Sequence, residues 1–175
     1  EIYYCELKDL FIKNGMGWSV ATEVELENSE NYYNKGGSIT VPLDHFDIIW
    51  MRKDPPFNMD YVYSTYILGL VDESKTHVIN HPKGIRDSNE KLYSLHFKEF
   101  TPPTFVSKDI DKLKGFLKEV GGKMVVKPLD GYGGEGIFFV SDGDYNSNVI
   151  LDSITNFGHT YVMAQSFIEN VSKGD

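Results

Sequence analysis

Apolar residues recur along this chain with two different periods, and the places where one gives way to the other mark its elements. Near the start, aromatic and β-branched residues gather in short runs broken by Asn14-Gly15, a pair that favours a two-residue hairpin turn, so strands are expected at 11–13 and 18–24. Asn34-Lys35-Gly36-Gly37 reads as a second loop, followed by a strand at 38–41. Residues 46–51 are almost continuously apolar, as in a strand covered on both faces of a parallel sheet, and Pro55-Pro56 prevents its continuation. A helix over 59–70 and a strand over 76–80 complete a strand–helix–strand unit.

The second half changes character near residue 88, where a domain boundary is expected between 1–88 and 89–175. Asp87-Ser88-Asn89-Glu90 has the spacing of a capping box and predicts a helix through 91–97, stopped by Pro102-Pro103. Ser107 is placed to cap another helix, whose apolar positions Ile110, Leu113, Leu117 and Val120 recur at steps of 3, 4 and 3 before Gly121-Gly122 ends it. A strand at 123–127, a glycine loop, a strand at 136–140, a helix over 148–157 and a strand at 160–165 follow. The expected fold class is therefore α/β in the first unit and α+β in the second, a helix-covered and largely antiparallel sheet.

Composition narrows the function. The 175 residues are 41% hydrophobic and 14% aromatic, enough for a sizeable core, and the net charge of -9 argues against a broad attraction to nucleic acid or anionic lipid. An anionic ligand would have to meet a local cluster of cations. Cys5 is the sole cysteine, so no intrachain disulfide forms, which fits a reducing cytoplasm; its thiol is either a core-facing strand residue or a reactive group. No apolar run approaches the ~20 residues of a membrane span, and a soluble, unsecreted protein is expected. The chain opens on Glu1 rather than Met and closes on Lys173-Gly174-Asp175, so both ends are expected to be truncated.

The candidate chemistry centres on the loop after 123–127. Gly131, Gly133, Gly134 and Gly136 fall within six positions, which lets several backbone N–H groups face one anion, and Lys127 stands just before them as a point charge. A polyphosphate suits that pairing, with a flexible hairpin as the bland alternative. The loop leads from strand to strand, so it is neither a Walker A loop nor a dinucleotide-binding turn. Lys91, in the first turn of its expected helix, either faces an anion at that helix end or is a solvated surface lysine. Residues 165–168 leave a strand whose free backbone groups, beside Phe167 and Ile168, can read the edge of a purine, unless they simply continue the core. Arg52 and Lys53 follow a strand at the usual ligand crevice of open α/β sheets and can meet a substrate carboxylate, or are merely a solvated strand end. The five histidines lack metal-ligand spacing, and no serine-nucleophile elbow is present.

Met51-Arg52-Lys53-Asp54-Pro55-Pro56-Phe57, with Tyr61 and 64–68, resembles the signature of the bacterial glutathione synthetases of the ATP-grasp superfamily. So do Ile79-Asn80-His81-Pro82, Arg86-Asp87, Asn89-Glu90-Lys91-Leu92, 101–104, 127–138 and Met163-Ala164-Gln165, in one order from about residue 43 onward. The resemblance implies a Rossmann-like pre-ATP-grasp substrate-binding domain followed by the first half of an ATP-grasp domain. It implies that Lys91 and Lys127 contact ATP phosphates, that Asp130, Gly131, Gly133, Gly134, Gly136 and Ile137 close over them, and that Gln165, Ser166, Phe167 and Ile168 line the adenine pocket, with Asp175 also at the nucleotide. The implied reaction joins γ-glutamylcysteine to glycine through an acyl phosphate, giving glutathione, ADP and phosphate. The Mg²⁺ ligands are expected beyond residue 175, so that this stretch alone does not turn over. A homo-oligomer is expected for the full-length protein. The alternatives are another ATP-grasp carboxylate–amine ligase, such as a D-alanine–D-alanine ligase, and a non-catalytic nucleotide-binding module.

Overall fold

The computed structural model describes residues 1–28, 32–53 and 56–170, and divides into two compact units, Glu1–Asp87 and Ser88–Asp175. In the first, strands β1 (Tyr3–Tyr4), β2 (Leu10–Lys13), β3 (Met16–Leu26) and β4 (Tyr33–Pro42) form an antiparallel sheet in which β3 pairs with the other three. The β2–β3 hairpin turns at Asn14 and Gly15, with φ of 53° and 77°, the left-handed pair that matches strand twist. The loop expected at 34–37 is instead part of β4: Asn34 and Lys35 pair with Glu25 and Val24, and the two glycines form a bulge in β4, Gly36 and Gly37 standing opposite the single residue Glu23 between the Thr22–Ser38 and Val24–Lys35 pairs.

Strand β5 (Ile48–Trp50), helix α1 (Met59–Leu68) and strand β6 (His77–Ile79) make the expected strand–helix–strand unit, with β5 and β6 parallel. Asn58 starts α1 by accepting the Tyr61 N–H at 3.0 Å, and Gly69 ends it. Ile49 and Val78 pack into a core of Leu43, Met51, Tyr61 and Leu68, while Ile48 and Trp50, on the other face, are 59% and 69% exposed. The expectation of a strand covered on both faces is corrected: among the described residues β5 and β6 pair only with each other, and one face is covered. Helix α2 (Pro82–Asp87) follows, with the Arg86 guanidinium donating to the Thr65 carbonyl and hydroxyl, both at 3.0 Å, and lying 4.3 Å over the Tyr66 ring.

The second unit is an antiparallel sheet, order β7-β10-β8-β9, with two helices. Its elements are β7 (Thr104–Ser107), α3 (Ile110–Glu119), β8 (Lys123–Pro128), β9 (Phe138–Ser141), α4 (Ser147–Ile154) and β10 (Val162–Ser166). Leu113, Phe116 and Leu117 of α3 and Leu151 of α4 meet Met124, Val126, Val140, Val162 and Ala164 from one sheet face, a continuous buried cluster. At about 25 cal/mol per Å² of apolar surface removed from water, burial of this cluster does more than any single polar contact to hold the unit together. The sequence reading missed β7, hidden behind Pro102-Pro103. It also misassigned the cap of α3: Asp109 accepts the Lys112 N–H at 3.1 Å, and Ser107, still in β7, accepts the Asp109 N–H at 3.0 Å.

The expected helix at 91–97 is replaced by a short 3-10 stretch, Leu92–His96. The cause is local competition for backbone groups. The Asn89 side chain accepts the N–H of Lys91 and Leu92, and the Ser94 hydroxyl donates to the Lys91 carbonyl at 2.6 Å. A helix-dipole argument for an anion at Lys91 therefore fails, and whatever Lys91 does rests on its side chain.

Candidate functional site

In the second unit the turn at 89–91 meets the glycine loop that follows β8. Lys91 leaves the turn capped by Asn89, its side chain only 12% exposed, and its ammonium donates to the Gly131 carbonyl at 2.6 Å and to Glu90 at 3.2 Å. The Asn89 amide donates to the Leu129 carbonyl at 3.1 Å. Lys127 stands near the end of β8, half-buried, directly opposite Met163 of β10. Burial pushes the Lys127 ammonium below the usual lysine range and the like charge of Lys91 adds to the effect, against a weaker opposing pull from Glu90. Two lysines far apart in sequence thus sit close enough to repel each other.

The loop between β8 and β9 bends through Gly133, Gly134 and Gly136, with φ of 59°, 80° and 70°, backbone that other residues rarely adopt. Gly131 is held for a different reason, since a Cβ there would stand 2.5 Å from the Pro128 ring and 3.2 Å from the Glu135 carbonyl. Asp130, Tyr132 and Ile137 are exposed along the loop.

Sheet register decides which other residues share the Lys127 face. Lys127 lies opposite Met163, and Val125 opposite both Gln165 and Phe139, so these five project from the face away from α3 and α4. Gln165 is 9% exposed, and its amide donates to the Thr104 hydroxyl at 2.9 Å. The expectation of free backbone groups after it needs correction: the Ser166 N–H donates to the Pro103 carbonyl at 2.9 Å and the Phe167 N–H to the Lys123 carbonyl at 3.2 Å. Phe167 packs edge-on against Phe139, ring centres 4.8 Å apart, and Ile168 is 55% exposed.

The remaining predicted residues are not part of this cluster. Arg52 and Lys53 belong to the first unit, are exposed, and follow β5 after Met51, whose N–H bonds the Ile79 carbonyl. Asp175, and Asp54-Pro55 of the signature string, lie outside the described residues. Cys5 is no reactive thiol: burial, helped by Asp9 and Glu6, pushes it up to about 11, and its thiol donates to the Glu6 carbonyl at 3.2 Å. Asn89 is the residue whose part the sequence reading missed. Its place in the capping-box string was visible, but its partner across the loop was not.

Chemically the cluster could receive an anion. Two ammonium groups lie within reach of each other's charge, one shielded from water and the other with its pKa lowered by burial, and Lys91 is bonded to the Gly131 carbonyl of the glycine loop and to the exposed Glu90. A phosphate group would relieve the repulsion and replace that carbonyl with a stronger, charged acceptor. A divalent metal fits less well: among the described residues no group of three or more His, Cys, Asp or Glu side chains is placed to hold one. Among them, too, no helix is long and apolar enough to cross a membrane.

The family described as prokaryotic glutathione synthetase, N-terminal domain, matches residues 1–86, and that described as prokaryotic glutathione synthetase, ATP-grasp domain, matches residues 90–175. A glutathione synthetase of Vibrio cholerae is 43% identical over the whole chain, which covers 55% of that protein. Those of Shewanella oneidensis and Salmonella typhi are 39% and 40% identical, each covered to 56%. The chain spans about 55% of the length of the curated relatives it matches. Among solved structures, D-cycloserine synthetase DcsG matches 73% of this chain and 46% of its own with a TM-score of 0.57 at 17% identity. D-alanyl-alanine synthetase A from Vibrio cholerae matches 91% of this chain and 49% of its own with a TM-score of 0.50, also at 17% identity. Both are likenesses of fold.

Proposed function

This chain belongs to the prokaryotic glutathione synthetase family, and from that premise we propose that it is the part of a glutathione synthetase that binds ATP phosphates and one substrate carboxylate. The reaction is ligation of γ-glutamylcysteine to glycine. The γ-phosphoryl group of ATP passes to the cysteinyl carboxylate, and the glycine amine then displaces phosphate from that acyl phosphate, leaving glutathione, ADP and phosphate. The observation that carries the reading is that Lys91, bonded to the Gly131 carbonyl of the glycine loop, also lies close enough to Lys127 for their charges to repel.

Each residue then has a task. Lys91 and Lys127 neutralise phosphate oxygens, and the backbone of Asp130, Gly131, Gly133, Gly134, Gly136 and Ile137 folds over them, excluding water from a hydrolysable acyl phosphate. Gln165, Ser166, Phe167 and Ile168 flank the base, chiefly by apolar contact, because the Ser166 and Phe167 N–H groups are engaged in the sheet. Arg52 and Lys53 meet the γ-glutamylcysteine carboxylates, in the domain that binds that substrate. Mg²⁺ would supply further charge neutralisation when bound. Glycine and γ-glutamylcysteine are the small-molecule partners, the setting is the cytoplasm, and the full-length protein is a homo-oligomer.

Titration of residues 1–175 with a non-hydrolysable ATP analogue should show saturable binding that Lys127→Met weakens. Phosphate release by the protein extended to the relatives' length should require γ-glutamylcysteine and glycine together. Release driven equally well by D-alanine would point to another ATP-grasp ligase, and binding with no dependence on either substrate would leave only a nucleotide-binding module.

A further inference from the structure

We propose that Asn89 is a positioning residue for the phosphate site, tying the turn that carries Lys91 to the start of the glycine loop. The inference rests on the nucleotide reading above. Both ends of its carboxamide are engaged: Oδ1 accepts the N–H of Lys91 at 3.1 Å and of Leu92 at 3.0 Å, and Nδ2 donates to the Leu129 carbonyl at 3.1 Å. Two donors on one side and a carbonyl on the other fix the amide's orientation, since only oxygen can accept and only nitrogen can donate.

A second link runs beside it, from the Lys91 ammonium to the Gly131 carbonyl at 2.6 Å. Residues 89–92 and 129–131 are thus closed by contacts at both ends, and the two contacts differ in what a ligand does to them. Phosphate competes with the Gly131 carbonyl for the ammonium, because a charged acceptor is the stronger partner. The Asn89 contact joins a neutral donor to a neutral acceptor, so phosphate gains less by displacing it than by taking the ammonium, and it persists. The loop therefore pivots beyond Leu129 when Lys91 changes partner, and its start stays in register with the lysine. A neutral amide suits the place, because it adds no charge beside Lys91 and Lys127 and carries its acceptor and donor on separate atoms, whereas a carboxylate has no donor and a serine hydroxyl has a single, shorter-reaching oxygen.

The test compares wild type, Asn89→Ser and Asn89→Asp. Both substitutions keep an acceptor for the turn and break the link to Leu129, Asp by lacking a donor and Ser by ending one bond short of the Nδ2 position, one with and one without added charge, so a folding failure in either leaves the other to decide. Binding of a non-hydrolysable ATP analogue should weaken about five- to tenfold, the scale of one lost hydrogen bond in a site that must stay ordered. Amides at 129–136 should exchange faster in the nucleotide-free protein, with melting temperature and exchange in α3 unchanged. Unaltered affinity and loop exchange would overturn the proposal, and so would a fall in melting temperature matched by faster exchange throughout the sheet, which would make Asn89 a general structural residue. If wild type binds no nucleotide, the functional reading fails instead, while the exchange comparison still decides whether the tether exists.

Discussion

Lys91 with Lys127 and Arg52 with Lys53 are two cation pairs with opposite histories in the chain. The first pair is distant in sequence, and the fold brings the two amines within reach of each other's charge, both partly shielded from water, with Lys91 held by the Gly131 carbonyl and the exposed Glu90. The second is adjacent in sequence, sits in the string most specific to the family, and stays exposed after β5. A built electrostatic site has the properties of the first pair: burial, like-charge proximity and a weak resident acceptor. Family specificity without such surroundings marks a place where a ligand supplies most of the order. The experiments that separate the two pairs follow from this contrast.

Replacing Lys127 by Met should have the largest effect. It keeps the side-chain volume and removes a charge that contributes to phosphate binding as a charged hydrogen bond would, so affinity for an ATP analogue should fall between about tenfold and a hundredfold. The fold should not suffer, because the like-charge repulsion with Lys91 disappears as well, and the melting temperature of the nucleotide-free protein should hold or rise. Calorimetric titration beside a thermal melt reads both, and unchanged affinity would remove Lys127 from the site.

The same lysine imposes a smaller, graded effect through pH, with opposite signs on stability and binding. Its folded-state pKa lies below the unfolded value near 10.5, so the unfolded chain holds the proton more tightly. The stability it contributes is fully present above that unfolded value and is lost as pH falls through the lowered folded one. Nucleotide binding runs the other way, since phosphate wants the charged amine: affinity should decline as pH rises through the lowered value, earlier than an ordinary lysine allows. Lys127→Met should flatten both curves, and a wild-type affinity that stays level well into the alkaline range would break the link between burial and phosphate.

Much of this contrast was legible in the sequence, and the parts that were not share one physical cause. The 3, 4, 3 spacing from Ile110 to Val120 gave α3 because it reports a single buried stripe, and Asn14-Gly15 gave its hairpin because both residues tolerate left-handed backbone. Local competition among neighbours was not legible. Asn89 and Ser94 divert backbone groups of 91–92 and turn an expected helix into a 3-10 stretch, and Gly36-Gly37 stays in β4 as a bulge, two residues opposite Glu23 of the partner strand. The bend of the glycine loop after Lys127 was readable from spacing alone, and the phosphate role we propose for it starts from those same residues. Asn89's second partner, on Leu129, depends on a contact that only the folded chain makes.

The smallest effect belongs to Arg52 and Lys53, and it is the one that tests the contrast from the other side. Both are exposed, so Arg52→Ala and Lys53→Ala should each leave stability within about 0.5 kcal/mol, as surface substitutions generally do. They belong to the first unit and the Lys91–Lys127 repulsion to the second, so affinity for an ATP analogue should stay within about twofold of wild type. What should change is the apparent KM for γ-glutamylcysteine in the protein of the relatives' length, rising about fivefold for each as one solvent-facing charge contact to a carboxylate is lost. That split, substrate KM up and nucleotide affinity level, is what an order supplied by the ligand requires. Equal losses in both would mean that the exposed pair reaches the phosphate site after all, and that burial does not distinguish the two.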